Sequence, residues 1–240
     1  MKRLMDFVLS SVLLLIASPI LLLFMLLVWL QDFQSPFYRA PRVSRGGGTF
    51  TMMKLRSMVV GADKTGVNST AQNDMRVTRV GHLIRRFKLD ELTQLLNVFV
   101  GDMSLVGPRP NTRAWGVDLY TPEEMRLLTV RPGITDFSSI VFSDEGDILK
   151  GHANADLAYN QLIRPAKSRL GLFYIDHQSI WLDIALIVLT ALAIVSKPVA
   201  LAGVTRILTK LNAPADLVRI AARTEPLVPM PPPGASAIAS

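Results

Sequence analysis

Two successive acids, Asp90 and Glu91, follow more cations than a helix end requires: Arg85, Arg86 and Lys88 all lie within six residues of them. Neighbouring side chains on a helix point about 100° apart, so mid-helix the two carboxylates diverge. At a helix start Asp90 can instead act as the cap, beside free backbone N–H groups that attract anions. An aspartate cap with acid in the first turn is also ordinary helix punctuation. Convergence is what argues for chemistry. Arg109 stands between Pro108 and Pro110, which stiffen the backbone carrying its guanidinium. Lys54 and Arg56, in the strand-like "MMKLRSM", add another pair of cations. Fixed cations around two carboxylates suit a diphosphate bridged by a divalent metal: the carboxylates ligate the ion and the arginines offset charge on non-bridging oxygens. A carboxylate also serves as a nucleophile, forming an acyl phosphate and splitting a transfer into two steps.

Other residue types narrow the field. Cysteine is absent from the 240 residues, which excludes disulfides, thiolate catalysis and thiolate metal sites. His82, His152 and His177 are too scattered for a zinc cluster. The net charge is +7, and between Pro36 and Trp115 basic residues outnumber acidic ones 13 to 5. That excess follows an apolar segment, where it signals topology or contact with anionic lipid, or gathers a phosphorylated substrate. Nucleic acid is disfavoured, because the region has no recognition motif and no interleaving of aromatic with basic residues.

The apolar segment is the first element that must hold this chemistry in place. From Phe7 to Leu30, 24 consecutive residues carry no charge, about 36 Å of helix and enough for a hydrocarbon core of roughly 30 Å. It is longer than the core of a signal peptide and lacks a small-residue cleavage site. Lys2 and Arg3 precede it; Arg39, Arg42, Arg45, Lys54 and Arg56 follow it. Both flanks therefore favour the cytoplasmic side. Two half-helices joined at Ser18-Pro19 satisfy that pattern, with the serine hydroxyl bonding a carbonyl freed by the proline. A straight spanning helix containing proline remains open on these residues alone.

Downstream, "RAPRVS" and "TFTMMKLRSM" flank Gly46-Gly47-Gly48 as two short strands and a turn, and residues 61–75 read as loop. Leu89, Leu92, Leu95, Leu96 and Phe99 predict an amphipathic helix that Gly101 ends. "MSLVGPRPN" reads as rigid loop, "TPEEMRLLTV" as a short helix from Thr121-Pro122, and "RPGITDFSSIVF" as a turn then a strand. Residues 155–176 are helical by pattern, with Pro165 near a boundary. Residues 180–196 predict an interfacial or core helix carrying Asp183, in preference to a second span. Past Lys197 the chain breaks at Pro214 and ends in a Pro/Ala-rich stretch expected to be disordered.

"KLDELTQLLNVFVGDMSLVGPRP" (Lys88–Pro110), "MMKLRSM", "VRPGITD" (Val130–Asp136) and the Ser18-Pro19 kink together closely resemble the monotopic phosphoglycosyl transferases, the bacterial sugar transferase family. The likeness covers roughly residues 1–200. It departs from the family pattern at Leu55, where an aromatic is usual, at Thr93, where proline is usual, and in "APRVSRGGG".

The resemblance implies an α/β fold, mostly helical with short strands. A re-entrant membrane helix (1–34, kinked at Ser18 and Pro19) precedes a single membrane-associated catalytic domain (35–200) with amphipathic interfacial helices, and a C-terminal extension (201–240) follows. It also implies a monotopic enzyme on the cytoplasmic face of a bacterial inner membrane. Such an enzyme moves a sugar 1-phosphate from a UDP-sugar to polyprenyl (undecaprenyl) phosphate, releases UMP and starts lipid-linked glycan assembly.

By that likeness Asp90 is the nucleophile and Glu91 handles Mg²⁺ or the acceptor proton, the two acids together forming the metal site. Lys54, Arg85 and Arg109 clamp phosphates, and Arg56 and Arg131 are further substrate-binding candidates. Membrane lipids are implied partners, and a homo-oligomer is compatible with the pattern. Two rivals stand beside this reading. One is direct displacement, with the acids only ligating metal; the other is a membrane-anchored scaffold whose basic face binds anionic lipid.

Overall fold

The computed structural model describes residues 1–62, 74–114 and 116–238. It is mostly helical with short strands. The first helix, α1 (Lys2–Asp32), runs through Pro19. Ser18 Oγ donates to Leu15 O at 2.8 Å, the carbonyl whose helical donor would be the missing N–H of residue 19. The predicted compensation for the proline is thus in place. Among the described residues, α1 is the one helix long and apolar enough to cross a membrane.

Both ends of α1 are fastened to the rest of the chain. At the start, Lys2 Nζ lies 2.5 Å from Asp183 Oδ2, Arg3 donates to the carbonyls of Val98 and Phe99 at 2.5 and 2.6 Å, and buried Asp6 accepts from Ser104 Oγ and Leu105 N. At the finish, Asp32 pairs with Arg56 and Val28 packs with Leu55, Ile84 and Leu89. The middle stays bare: Leu15 is 76% exposed and Ile16 70%.

Strands β1 (Phe37–Val43) and β2 (Thr49–Leu55) pair antiparallel around a turn in which Gly46 and Gly47 take φ of 79° and 83°, which glycine adopts without steric penalty. The register sets Tyr38 opposite Lys54, Ala40 opposite Met52 and Arg42 opposite Phe50. With alternating side chains, buried Ala40 and Met52 therefore share a face with Arg42 and Lys54. Of the loop expected over residues 61–75, residues 63–73 lie outside those described.

Helix α2 (Arg79–Arg86) is capped by Thr78 and leads into α3 (Leu89–Leu92) and α4 (Leu95–Val100). The single amphipathic helix expected here is two short ones, divided at Thr93 and Gln94. β3 (Ser104–Val106) lies parallel to β4 (Gly133–Thr135), so "SLVG" and "RPGIT" are not the loop and turn they resemble but one sheet. A Cβ on Gly133 would stand 2.1 Å from Gly107 N; two glycines are what let the strands approach. Beyond β4 comes not the rest of a strand but helix α5 (Phe137–Val141), capped by Asp136, which accepts from Ser139 N at 2.7 Å. Asp136 was the overlooked helix-start signal.

Short helices α6 (Glu145–Ile148) and α7 (Ala155–Ala158) precede a π-helical turn, Tyr159–Ile163, and then α8 (Arg164–His177) with Pro165 in its first turn. Helix α9 (Ile180–Val195) buries Leu182, Leu186 and Leu189 while Trp181 and Val195 are 81% and 86% exposed. Buried Asp183 is held by Lys2 and by Tyr174 Oη at 2.6 Å. The tail departs from expectation. α10 (Lys197–Lys210) and α11 (Ala215–Ala222) bury Val204, Leu208, Leu217 and Ala221 in the main core, and residues 225–238 lie along the domain surface rather than free of it.

Candidate active site

The candidate dyad rests on α3, and α3 rests on β2. Asn97 on α4 spans two backbone positions of β2, accepting from Met53 N at 2.9 Å and donating to Thr51 O at 2.8 Å. Thr93 Oγ lies 3.1 Å from Met53 O and 3.0 Å from Asp90 O. Thr93, where the family pattern has proline, thus contributes a hydroxyl that joins the acid-bearing turn to the strand. The result brings Lys54 Nζ to 4.0 Å from Asp90 Oδ2.

Asp90 does not cap its helix. Lys88 holds that position in a left-handed conformation (φ 52°), costly for a residue with a Cβ and sustained only by surrounding structure. Asp90 is the second helical residue, and Glu91 diverges from it to accept both guanidinium nitrogens of Arg109 at 2.9 and 3.2 Å. Arg109 also donates to Ile134 O at 3.2 Å, so the β3–β4 sheet and its flanking prolines fix its direction.

The two acids are therefore in different electrostatic states. Burial and the like charge of Glu91 push the Asp90 carboxyl up, against the pull of Lys54 and Arg85. Burial acts on Glu91 the same way, but Arg109, by charge and by hydrogen bonds, with help from Lys54 and Lys88, carries it down to about 2. Lys54 is pushed down by burial and by Arg109, with Asp90 and Glu91 opposing. Among the described residues no side chain hydrogen-bonds the Asp90 carboxylate, whereas Glu91 takes one hydrogen bond from Arg109 on each oxygen.

Asp90, Lys54, Arg85 and Arg42 lie where two clefts meet. One, of about 440 Å³, is walled by Glu91, Arg109 and Lys88 and by Tyr120, Tyr159, Arg164 and Lys167. The other, of about 980 Å³, opens toward the end of α1 past Gln34, Phe37 and Arg39. Arg85 Nε donates to Ser57 Oγ at 3.0 Å, and burial lowers its pKa. Five of the predicted residues thus come together: Lys54, Arg85, Asp90, Glu91 and Arg109.

Two do not join them. Arg56 reaches the second cleft, but its guanidinium is bound by Asp32 and the carbonyls of Val28 and Gln34, so it fastens the end of α1. Arg131 lines neither cleft; its carbonyl packs where a side chain on Gly107 would go. Ser18 and Pro19 lie in α1, remote in sequence from the dyad.

Sequence reasoning missed Arg42, Asn111, Tyr120, Asp136, Tyr159 and Lys167 as cleft residues. Arg42 was legible in principle from strand periodicity with Lys54. Lys167, paired with Glu145 and with its ammonium 5.4 Å from the Tyr159 ring centre, carries no local signal.

Among the described residues, no group of three or more acids or histidines is arranged to hold a metal. A Mg²⁺ taken by one or two carboxylates plus substrate phosphates needs no such group. Asp90, with oxygens no other side chain occupies, fits that donor set; Glu91 adds the lone pairs Arg109 leaves.

Residues 1–197 match the family model described as bacterial sugar transferase. The chain is 34% identical over 188 residues to a UDP-N-acetylgalactosamine-undecaprenyl-phosphate N-acetylgalactosaminephosphotransferase of Aeromonas hydrophila, covering 78% of this chain and 41% of that one. It is 37% identical over 167 residues to a UDP-glucose:undecaprenyl-phosphate glucose-1-phosphate transferase of Caulobacter vibrioides, covering 67% and 62%. It is 34% identical over 191 residues to the sugar transferase EpsL of Bacillus subtilis, covering 79% and 85%. The chain thus spans 41% and 62% of the length of the first two relatives. With the family's matched region containing the dyad, both clefts' cations and the apolar helix, the chain belongs to the bacterial sugar transferase family.

Proposed function

We propose that this chain transfers a sugar 1-phosphate from a UDP-sugar to polyprenyl phosphate in two steps through Asp90. The observation that carries this reading is the inequality within the dyad: Glu91 is bound on both oxygens by Arg109, while Asp90 is desolvated, 4.0 Å from one lysine, and open to the cleft. A carboxylate largely shielded from water and free of side-chain hydrogen-bond donors is a stronger nucleophile than a solvated one.

In the first step an Asp90 carboxylate oxygen bonds to the sugar-side phosphorus of the donor. The bond from that phosphorus to the bridging oxygen breaks, and its electron pair leaves with UMP. In the second step a phosphate oxygen of the polyprenyl acceptor bonds to the same phosphorus and releases the Asp90 carboxylate. The product is a polyprenyl diphosphate sugar. Lys54, Arg85 and Arg109 neutralise phosphate oxygens during both transfers, and Arg42 adds a fourth cation at the junction of the clefts. Asp90 and Glu91 would hold Mg²⁺, which when bound offsets phosphate charge.

α1 enters and leaves through the cytoplasmic leaflet of a bacterial inner membrane in this reading. Support comes from its fastenings: Lys2, Arg3 and Asp6 at one end and Asp32 at the other bond to the same domain. A straight crossing would place those ends about 45 Å apart, on opposite sides of the bilayer. Tags at both termini should therefore be accessible from the cytoplasm; an external N-terminus contradicts the arrangement.

Rapid mixing with labelled UDP-sugar and no acceptor tests the chemistry. A stoichiometric burst of UMP is expected. Release only on adding polyprenyl phosphate would favour direct displacement.

A further inference from the structure

Residues 225–238 lie beyond the family's matched region, yet they bind to the walls of the smaller cleft. We infer that this segment is a strap that fixes the spacing of the Tyr120 and Tyr159 walls and thereby sets donor affinity; the inference rests on the donor reading above.

Three hydrogen bonds among the described residues hold the strap. Met230 N donates to Gln161 O at 3.1 Å, Arg169 donates to Pro231 O at 3.1 Å, and Thr121 Oγ donates to Pro233 O at 2.5 Å. Each lands beside a cleft wall. Gln161 sits in the π-helical turn that begins at Tyr159. Thr121 follows Tyr120 and forms a reciprocal cap with Glu124: Thr121 N donates to Glu124 Oε2 at 2.9 Å, and Glu124 N to Thr121 Oγ at 3.1 Å. Buried Glu124 in turn accepts from Arg164 and Ser168, both on the cleft. The strap therefore adds an outer bridge between two cleft walls that meet beneath it through Glu124, Arg164 and Ser168.

Composition explains how so few bonds suffice. Pro226, Pro229, Pro231, Pro232 and Pro233 fix φ before docking, so little backbone entropy is lost on binding. From Pro229 to Pro233, Met230 is the one residue with an amide hydrogen, and that hydrogen is on Gln161. At the far end Gly234 turns at φ 77°, where a Cβ would come within 3.0 Å of Glu123 Cβ. The acids that do the chemistry stand on α3, which the strap does not touch. Its influence falls on the hold on substrate.

The test compares the full chain with a chain stopped after Thr224, which keeps α11 whole, and with Met230→Pro, which removes one donor and retains the strap's stiffness. Donor KM should rise about 10-fold in both, with kcat, acceptor KM and the amplitude of the UMP burst within about twofold of the full chain. Adding the peptide of residues 225–238 to the shortened chain should restore donor KM. Unchanged donor KM, or a fall in kcat alone, overturns the inference. Hydrogen exchange gives a readout independent of turnover: amides of residues 121–129 and 159–163 should exchange faster in Met230→Pro. Unaltered exchange there removes the strap even if the donor reading stands. Accelerated exchange in a chain that uses no UDP-sugar faults the donor reading and leaves the strap.

Discussion

The charges that fasten α1 and the charges around Asp90 are built on opposite principles. At the fastenings every charge is answered closely: Lys2 by Asp183, Arg3 by two carbonyls that end α4, Asp6 by Ser104 and Leu105, Arg56 by Asp32. At the junction of the clefts, Lys54, Arg85 and Arg42 crowd one carboxylate, and Lys54 stands 4.0 Å from it. Glu91 and Arg109 stand between the two cases, paired with each other yet facing the cleft. Buried polar groups left short of partners are destabilising. An arrangement that leaves them so is explained by a ligand that supplies what the protein does not.

Substitutions on the two sides should accordingly fail in different ways. The largest effect is expected for Asp90→Asn: a loss of about 10⁴-fold or more in turnover, with no fall in melting temperature. The sign of the second part follows from the raised carboxyl. Because the fold disfavours its ionised form, Asp90 adds no stability above its folded pKa, and removing the charge relieves the site. Arg109→Lys should lower kcat/KM about 10²-fold, since an ammonium cannot replace the fork that holds Glu91 and faces the phosphates.

On the fastening side the readout reverses. Asp183→Asn should lower stability by about 2 kcal/mol, a melting shift of roughly 5 °C, with the stoichiometric UMP burst retained; the figure is reduced for the partly exposed Lys2. Arg56→Lys should cost about 1 kcal/mol, for loss of the forked contact with Asp32, and leave donor KM unchanged. A large rise in donor KM in Arg56→Lys would erase the distinction between anchoring and binding cations.

That distinction marks the limit of what the sequence disclosed. Lys54 and Arg56 share a strand face if periodicity continues, and both were read as substrate cations. The strand ends at Leu55, the alternation lapses, and Asp32, 24 residues upstream, takes Arg56. Ser18-Pro19 was readable because proline's missing donor and serine's compensating hydroxyl are local facts. The cap was misplaced because a lysine in left-handed conformation leaves no mark in a sequence, as glycine would. Asp90, Glu91 and Arg109 were legible through motif density. Tyr120, Tyr159 and Lys167 were not, because only packing of α8 and the turns before it brings them to the cleft. The tail was misread for a related reason: proline-rich composition signals a chain that cannot form its own core, but not whether a surface is waiting for it.

The central claim is a bond between Asp90 and phosphorus. Acid-quenching the enzyme after brief exposure to UDP-sugar without acceptor, then measuring the mass of the peptide bearing residue 90, tests it most directly. The account predicts an added sugar phosphate on Asp90, absent from Asp90→Asn and discharged by polyprenyl phosphate. An unmodified peptide from an enzyme that turns over normally once acceptor is added would contradict it.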